Sequence, residues 1–158
     1  MEKNVKDLPP LDISHVCVIV KDREEAMQRF GSLWRIGPFG LIDTTLQLLD
    51  VNHLGEAVPH GGKQITGKLA FAQAGPIEIE LIEPGEDEQN IWGEFLSTRG
   101  AVVHHLAVDV PDLDTEIARL KGKGVGILLY AQGEHVKLAY MDTEKIIGVT
   151  LELRQALK

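Results

Sequence analysis

The chain has 158 residues, 44% of them hydrophobic and 25% charged, with a net charge of -8. That make-up belongs to a folded globular protein and excludes a disordered or fibrous one. The acidic balance argues against nucleic acid or an anionic membrane as the main partner, since both reward clusters of Lys and Arg that this sequence lacks.

Residues 1–10, MEKNVKDLPP, read as a tail without the apolar core of a signal peptide. Apolar runs such as GVGILLYA fall well short of the ~20 residues that cross a bilayer. The single cysteine, Cys17, cannot form an internal disulfide, and a cytoplasmic protein is expected. ISHVCVIV alternates as a β-strand, with His15, Cys17 and Ile19 on one face and Val16, Val18 and Val20 on the other. The valines are expected to face the next helix. There Asp22 is an N-cap with Glu25 three positions on, and Ala26, Met27, Phe30, Leu33 and Trp34 form an apolar stripe. Strands are predicted near 39–50, 67–73 and 77–83, with the Gly- and His-rich residues 51–66 as a loop over a binding surface. EQNIWGEFLSTRG (88–100) is a short helix ending at Gly100. AVVHHLAVDV is the next strand; alternation puts His104 and His105 on opposite faces. Asp112 caps a helix lined by Leu113, Ile117 and Leu120 and stopped at Gly122 or Gly124, and strands near 125–131, 135–141 and 148–154 complete the chain.

This order repeats itself. HVCVIVKDREEAMQRF (15–30) aligns without a gap on HLAVDVPDLDTEIARL (105–120), matching His15 to His105 and Asp22 to Asp112. Downstream, KLAF and IELI (68–71, 79–82) match KLAY and LELR (137–140, 151–154). The expected fold class is α+β: two paired βαβββ modules, 11–86 and 101–158, joined by a linking helix over 87–100 in one compact domain with a curved mixed sheet.

The repeat also marks a site. Glu80 and Glu152 occupy matched positions in otherwise apolar strands, where an ionised carboxylate without a partner is costly. If both modules turn the same face inward about a pseudo-two-fold axis, His15, Glu80, His105 and Glu152 converge. Two imidazoles and two carboxylates suit a divalent ion such as Zn, Co, Ni or Mn at ~2.0–2.2 Å, and an octahedral ion keeps two positions for substrate oxygens. His104 pairs with Ser14 in the repeat and is expected to pack or support the site. His53, His60 and His135 are read as loop residues, Cys17 as a small buried apolar residue, and EPGEDE (83–88) as a solvated turn.

With ISHVCVIV, IEIELIEP, GAVVHHLAVDV and GVTLELRQ in view, the chain resembles the vicinal oxygen chelate superfamily of glyoxalases, bleomycin-resistance proteins and dioxygenases. The resemblance spans about residues 11–155 and is nearest the methylmalonyl-CoA epimerase branch. It implies a metal held by His15, Glu80, His105 and Glu152, an acyl-CoA substrate, and an enolate formed when Glu152 moves the α-proton. Relatives are often dimers. The position where some epimerases carry a second carboxylate base aligns here with Lys68, which either acts as a base or substrate contact, or is a surface residue. A glyoxalase I-like lyase acting on a glutathione hemithioacetal, and a drug-binding protein without turnover, remain alternatives. Extradiol ring cleavage fits less well, because it uses iron with more open positions.

Overall fold

A computed structural model describes residues 8–51, 56–87 and 90–158. The first module runs β1 (Ile13–Ile19), α1 (Arg23–Trp34), β2 (Gly40–Val51), β3 (Ala57–Ala74) and β4 (Ile77–Pro84). After α2 (Ile91–Arg99) the second repeats it as β5 (Val103–Asp109), α3 (Leu113–Lys121), β6 (Ile127–Gln132), β7 (Val136–Met141) and β8 (Thr150–Ala156), with a short α4 (Glu144–Ile147) before β8. The sheet closes into a barrel in the order β1-β4-β3-β2-β6-β7-β8-β5. Within each module the first and last strands pair in parallel (β1 with β4, β5 with β8), and the modules meet antiparallel at β1–β5 and at β2–β6. No helix among the described residues is long and apolar enough to cross a membrane.

Alternation sorts the strand residues as expected. Cys17 and Ile19 are fully buried in the barrel interior, while Val16, Val18 and Val20 pack beneath Ala26, Met27 and Phe30 of α1. The caps form too: Asp22 Oδ1 accepts from Glu25 N at 2.8 Å, and Asp112 Oδ1 from Thr115 N at 3.0 Å. Leu113, Ile117 and Leu120 bury the inner face of α3.

Three expectations change. The stripe on α1 stops at Phe30: Leu33 and Trp34 are 76% and 68% exposed, because the last turn runs past the sheet before Arg35 ends it in the left-handed region. The expected loop over 51–66 is strand from Ala57 onward. β3 pairs with β2 on both sides of a bulge, where Gln47 faces Gln64 but Leu49 faces Pro59, and Gly61 and Gly62 supply the positive φ that this excursion needs. Residues 52–55, His53 among them, lie outside the described residues, as do 1–7 and 88–89 at the start of the expected linking helix. His60 is not in a loop; it sits on β3 and pairs with Asp50 of β2.

α2 closes one end of the barrel. Asn90 caps it, accepting from Trp92 N and Gly93 N, and Trp92 reaches the interior core at 1% exposure. Its ring takes the space beside Gly67, where a Cβ would stand 2.9 Å from it. Its Nε1 donates to the Tyr140 hydroxyl at 3.0 Å.

Candidate metal centre

The four doubled polar residues meet inside the barrel. His15 and His105 come from β1 and β5, which pair across the central seam, while Glu80 and Glu152 come from the parallel neighbours β4 and β8. All four side chains are buried. His15 Nε2 lies 3.0 Å from Glu80 Oε2, 3.1 Å from Glu152 Oε2 and 3.2 Å from His105 Nε2. His105 Nε2 lies 3.4 Å from Glu80 Oε2 and 2.8 Å from Glu152 Oε2. Neighbouring ligands of an octahedral ion with bonds of ~2.1 Å are themselves ~3.0 Å apart, so these spacings suit one central cation. Among the described residues, Glu80 Oε2 and Glu152 Oε2 are the buried side-chain atoms that receive no well-aligned hydrogen bond. Buried oxygens in that condition call for a cation, and the donor set fits a borderline divalent metal.

Without one, the groups hold each other. Burial pushes His15 down, but the carboxylates of Glu152 and Glu80 more than reverse it and raise its pKa to about 9. His105 is raised for the same reason. Burial pushes Glu80 and Glu152 up, and the two imidazoles override it, holding both below the usual carboxylate range. Cys17 is buried as expected and lies beside this site, facing Glu80 on one side and His105 on the other. Burial, then the two carboxylates, keep it a thiol.

Contrary to simple alternation, His104 and His105 meet. Cys17 faces His105 and Val18 faces Val103, so His104 is an extra residue in β5, and the bulge brings both rings to one side. Their Nδ1 atoms are 2.8 Å apart, and His104 packs edge-on to Phe95 and Tyr140. Burial, then the charge on His105, lower the pKa of His104 to about 3, which keeps its ring neutral. The repeat preserves this irregularity: Ser14 is the extra residue in β1, and its hydroxyl donates to Ala107 O at 3.3 Å. The repeated aromatics match as well, Phe71 lying edge-on to His15 at 5.9 Å and Tyr140 tilted over His105 at 4.8 Å.

A cavity of about 550 Å³ opens onto the cluster. Leu69 and Phe71 line it from β3, Asp43 and Thr45 from β2, and His135 and Arg154 from the second module. Lys68 does not line it. Its side chain is 58% exposed and pairs with Glu83 at 3.4 Å, so it is a surface residue, outside the site. Arg154 does line the cavity, and sequence reading passed over it as the end of a strand; its contrast with Ile82 in the matched LELR and IELI segments was the available signal.

Residues 14–140 match the family model described as the Glyoxalase/Bleomycin resistance protein/Dioxygenase superfamily. No curated protein matches the sequence. Among solved structures, the chain is similar to a hypothetical protein of Bacillus halodurans, at TM-score 0.65 and 21% identity over 93% of this chain and 95% of that one. A variant of Streptomyces coelicolor methylmalonyl-CoA epimerase in complex with 2-nitronate-propionyl-CoA matches at TM-score 0.65 and 21% identity, over 92% and 95%. Methylmalonyl-CoA epimerase from Mycobacterium tuberculosis matches at 0.61 and 22%, over 92% and 88%.

Proposed function

We propose that this chain, which belongs to the glyoxalase/bleomycin resistance protein/dioxygenase superfamily, is a metal-dependent isomerase acting through an enolate on an acyl-CoA, in the manner of a methylmalonyl-CoA epimerase. The observation that carries the reading is the buried quartet of His15, Glu80, His105 and Glu152, whose carboxylates receive no well-aligned hydrogen bond at Oε2 and border a substrate-sized cavity. In this reading the quartet holds a divalent ion, Co, Zn, Ni or Mn, which supplies the positive charge that makes a weakly acidic α-proton removable. Glu152 moves the proton. It is buried and borders the cavity, so its carboxylate meets substrate away from bulk water. Leu69 and Phe71 form an apolar wall that helps exclude solvent from the reacting carbon.

That wall favours a second reading. β3 offers the cavity no acid or amine, so the second proton-transfer group of a two-base epimerase is missing from that strand. Glyoxalase I-type isomerisation of a glutathione hemithioacetal needs no base there.

The test loads the protein with cobalt and follows deuterium uptake from heavy water into methylmalonyl-CoA, with glutathione hemithioacetal turnover assayed in parallel. Cobalt-dependent exchange that Glu152→Gln lowers by about 100-fold or more supports the epimerase reading. Hemithioacetal turnover without exchange transfers the assignment to the second reading. Bound metal with neither activity points to a binding protein.

A further inference from the structure

Among the described residues, Arg154 is the one arginine or lysine that lines the cavity. It follows Glu152 by two positions on β8, so both side chains leave the strand toward the barrel interior, while Leu153 between them is buried beside α3. Its Nη1 lies 3.0 Å from Nδ1 of His15. A guanidinium has donors only, so Nδ1 accepts from it only when His15 is neutral with its proton on Nε2; a charged His15 carries a proton on both nitrogens and offers Arg154 no acceptor. Nε2 is the nitrogen that faces Glu80, Glu152 and His105.

Metal ligation gives the same result. A nitrogen that binds a cation carries no proton, so ligation through Nε2 leaves the proton on Nδ1, and Nδ1 again faces the guanidinium as a donor. Ligating histidines normally donate their second N–H to an acceptor. His105 has one in the neutral ring of His104, 2.8 Å away. His15 does not: Ser14, which stands where His104 stands in the repeat, turns its hydroxyl to Ala107 O. Among the described residues, the acid paired with the guanidinium is Asp109, 3.8 Å from its Nε and itself exposed. Outside the quartet, the acids of the cavity wall are Asp43, paired with Arg23 at 2.9 Å, and Glu134, an exposed side chain beside His135.

We propose that Arg154 is the anion-recognition residue of the cavity, its guanidinium, without an acceptor at His15, binding a carboxylate on the substrate. This rests on the metal-dependent reading and narrows it. The planar fork of arginine suits a carboxylate, which it can bind through two parallel hydrogen bonds. Because the guanidinium starts one imidazole ring away from the quartet, the carboxylate must lie close to the substrate's metal-binding oxygen. A carboxyacyl thioester or a small dicarboxylate qualifies, and a simple acyl group does not.

The probes are malonamate, which joins a carboxylate to a carbonyl, and its neutral isostere malonamide, titrated into cobalt-loaded protein and followed by the visible absorption of the ion. Wild type is expected to prefer malonamate, and Arg154→Gln to weaken malonamate by about 10- to 100-fold while leaving malonamide unchanged. In a chelator competition, Arg154→Gln is expected to hold cobalt as tightly as wild type or more tightly. Unchanged malonamate binding in Arg154→Gln overturns the proposal. Weaker cobalt binding in that variant also overturns it, because Arg154 would then be a support for His15. Wild type that takes up no cobalt overturns the metal-dependent reading itself, a result distinct from loaded protein indifferent to Arg154.

Discussion

At the scale of single residues, the quartet was legible because burying a lone carboxylate is costly, and the repeat showed the same costly choice made twice, at Glu80 and Glu152. His104 was misplaced for an equally physical reason: alternation assumes an unbroken ladder, and the bulge opposite Cys17 and Val18 breaks it. The neutral ring of His104 is positioned to accept the Nδ1 proton of His105. His104→Phe keeps an aromatic ring beside Phe95 and Tyr140 but removes that acceptor, so cobalt affinity in a chelator competition should fall by about 10- to 100-fold in a folded protein. The quartet also sets a pH dependence. The raised pKa of His15 contributes stability that is full below its ordinary value of 6.5 and is lost as pH climbs through about 9. The lowered pKa values of Glu80 and Glu152 contribute stability present above their ordinary 4.5 and lost as pH falls below it. With chelator present, the melting temperature should therefore peak between about pH 4.5 and 6.5 and decline toward pH 9. Cobalt affinity should move the opposite way, rising with pH as His15 gives up its proton.

At the scale of elements, strands and helices with a clear period were readable, and the exceptions are places where tertiary pairing overrides the local pattern. Ala57–Gln64 carries no alternation, yet it is strand because β2 pairs with Ala57–Pro59 and again from Gln64 onward, on either side of the bulge. Leu33 and Trp34 continue the helical stripe in sequence, but the sheet no longer lies beneath them. α4 went unread because four residues ending at Gly148 are too few to show a period. Gly67 has a packing role that no local pattern announces, since the ring of Trp92 fills the space a side chain would need. Gly67→Ala should force that ring from the barrel end and cost about 1–3 kcal/mol, read as a lowered denaturation midpoint.

At the scale of the whole molecule, duplication predicted the paired modules and the curved sheet, and the structure adds that the sheet closes. The two closures differ in strength. β1 and β5 pair along most of their length, whereas β2 and β6 meet only at Gln47–Gln132 and Leu48–Ala131. Amides at that short seam should exchange with heavy water well before those of Val16 and Cys17, and the same order should persist after cobalt is added, because no residue of the quartet comes from β2 or β6.

The bulge that recurs in both halves, at Ser14 and at His104, leads to a different kind of consequence. Two identical halves would build a ring in which a guest binds equally well in either of two orientations related by the two-fold axis. This chain escapes that through a few divergent counterparts: Ser14 against His104, Phe71 against Tyr140, Ile82 against Arg154. A single preferred orientation of a guest resides in those mismatches, and restoring symmetry there should let it bind both ways round even with the quartet intact.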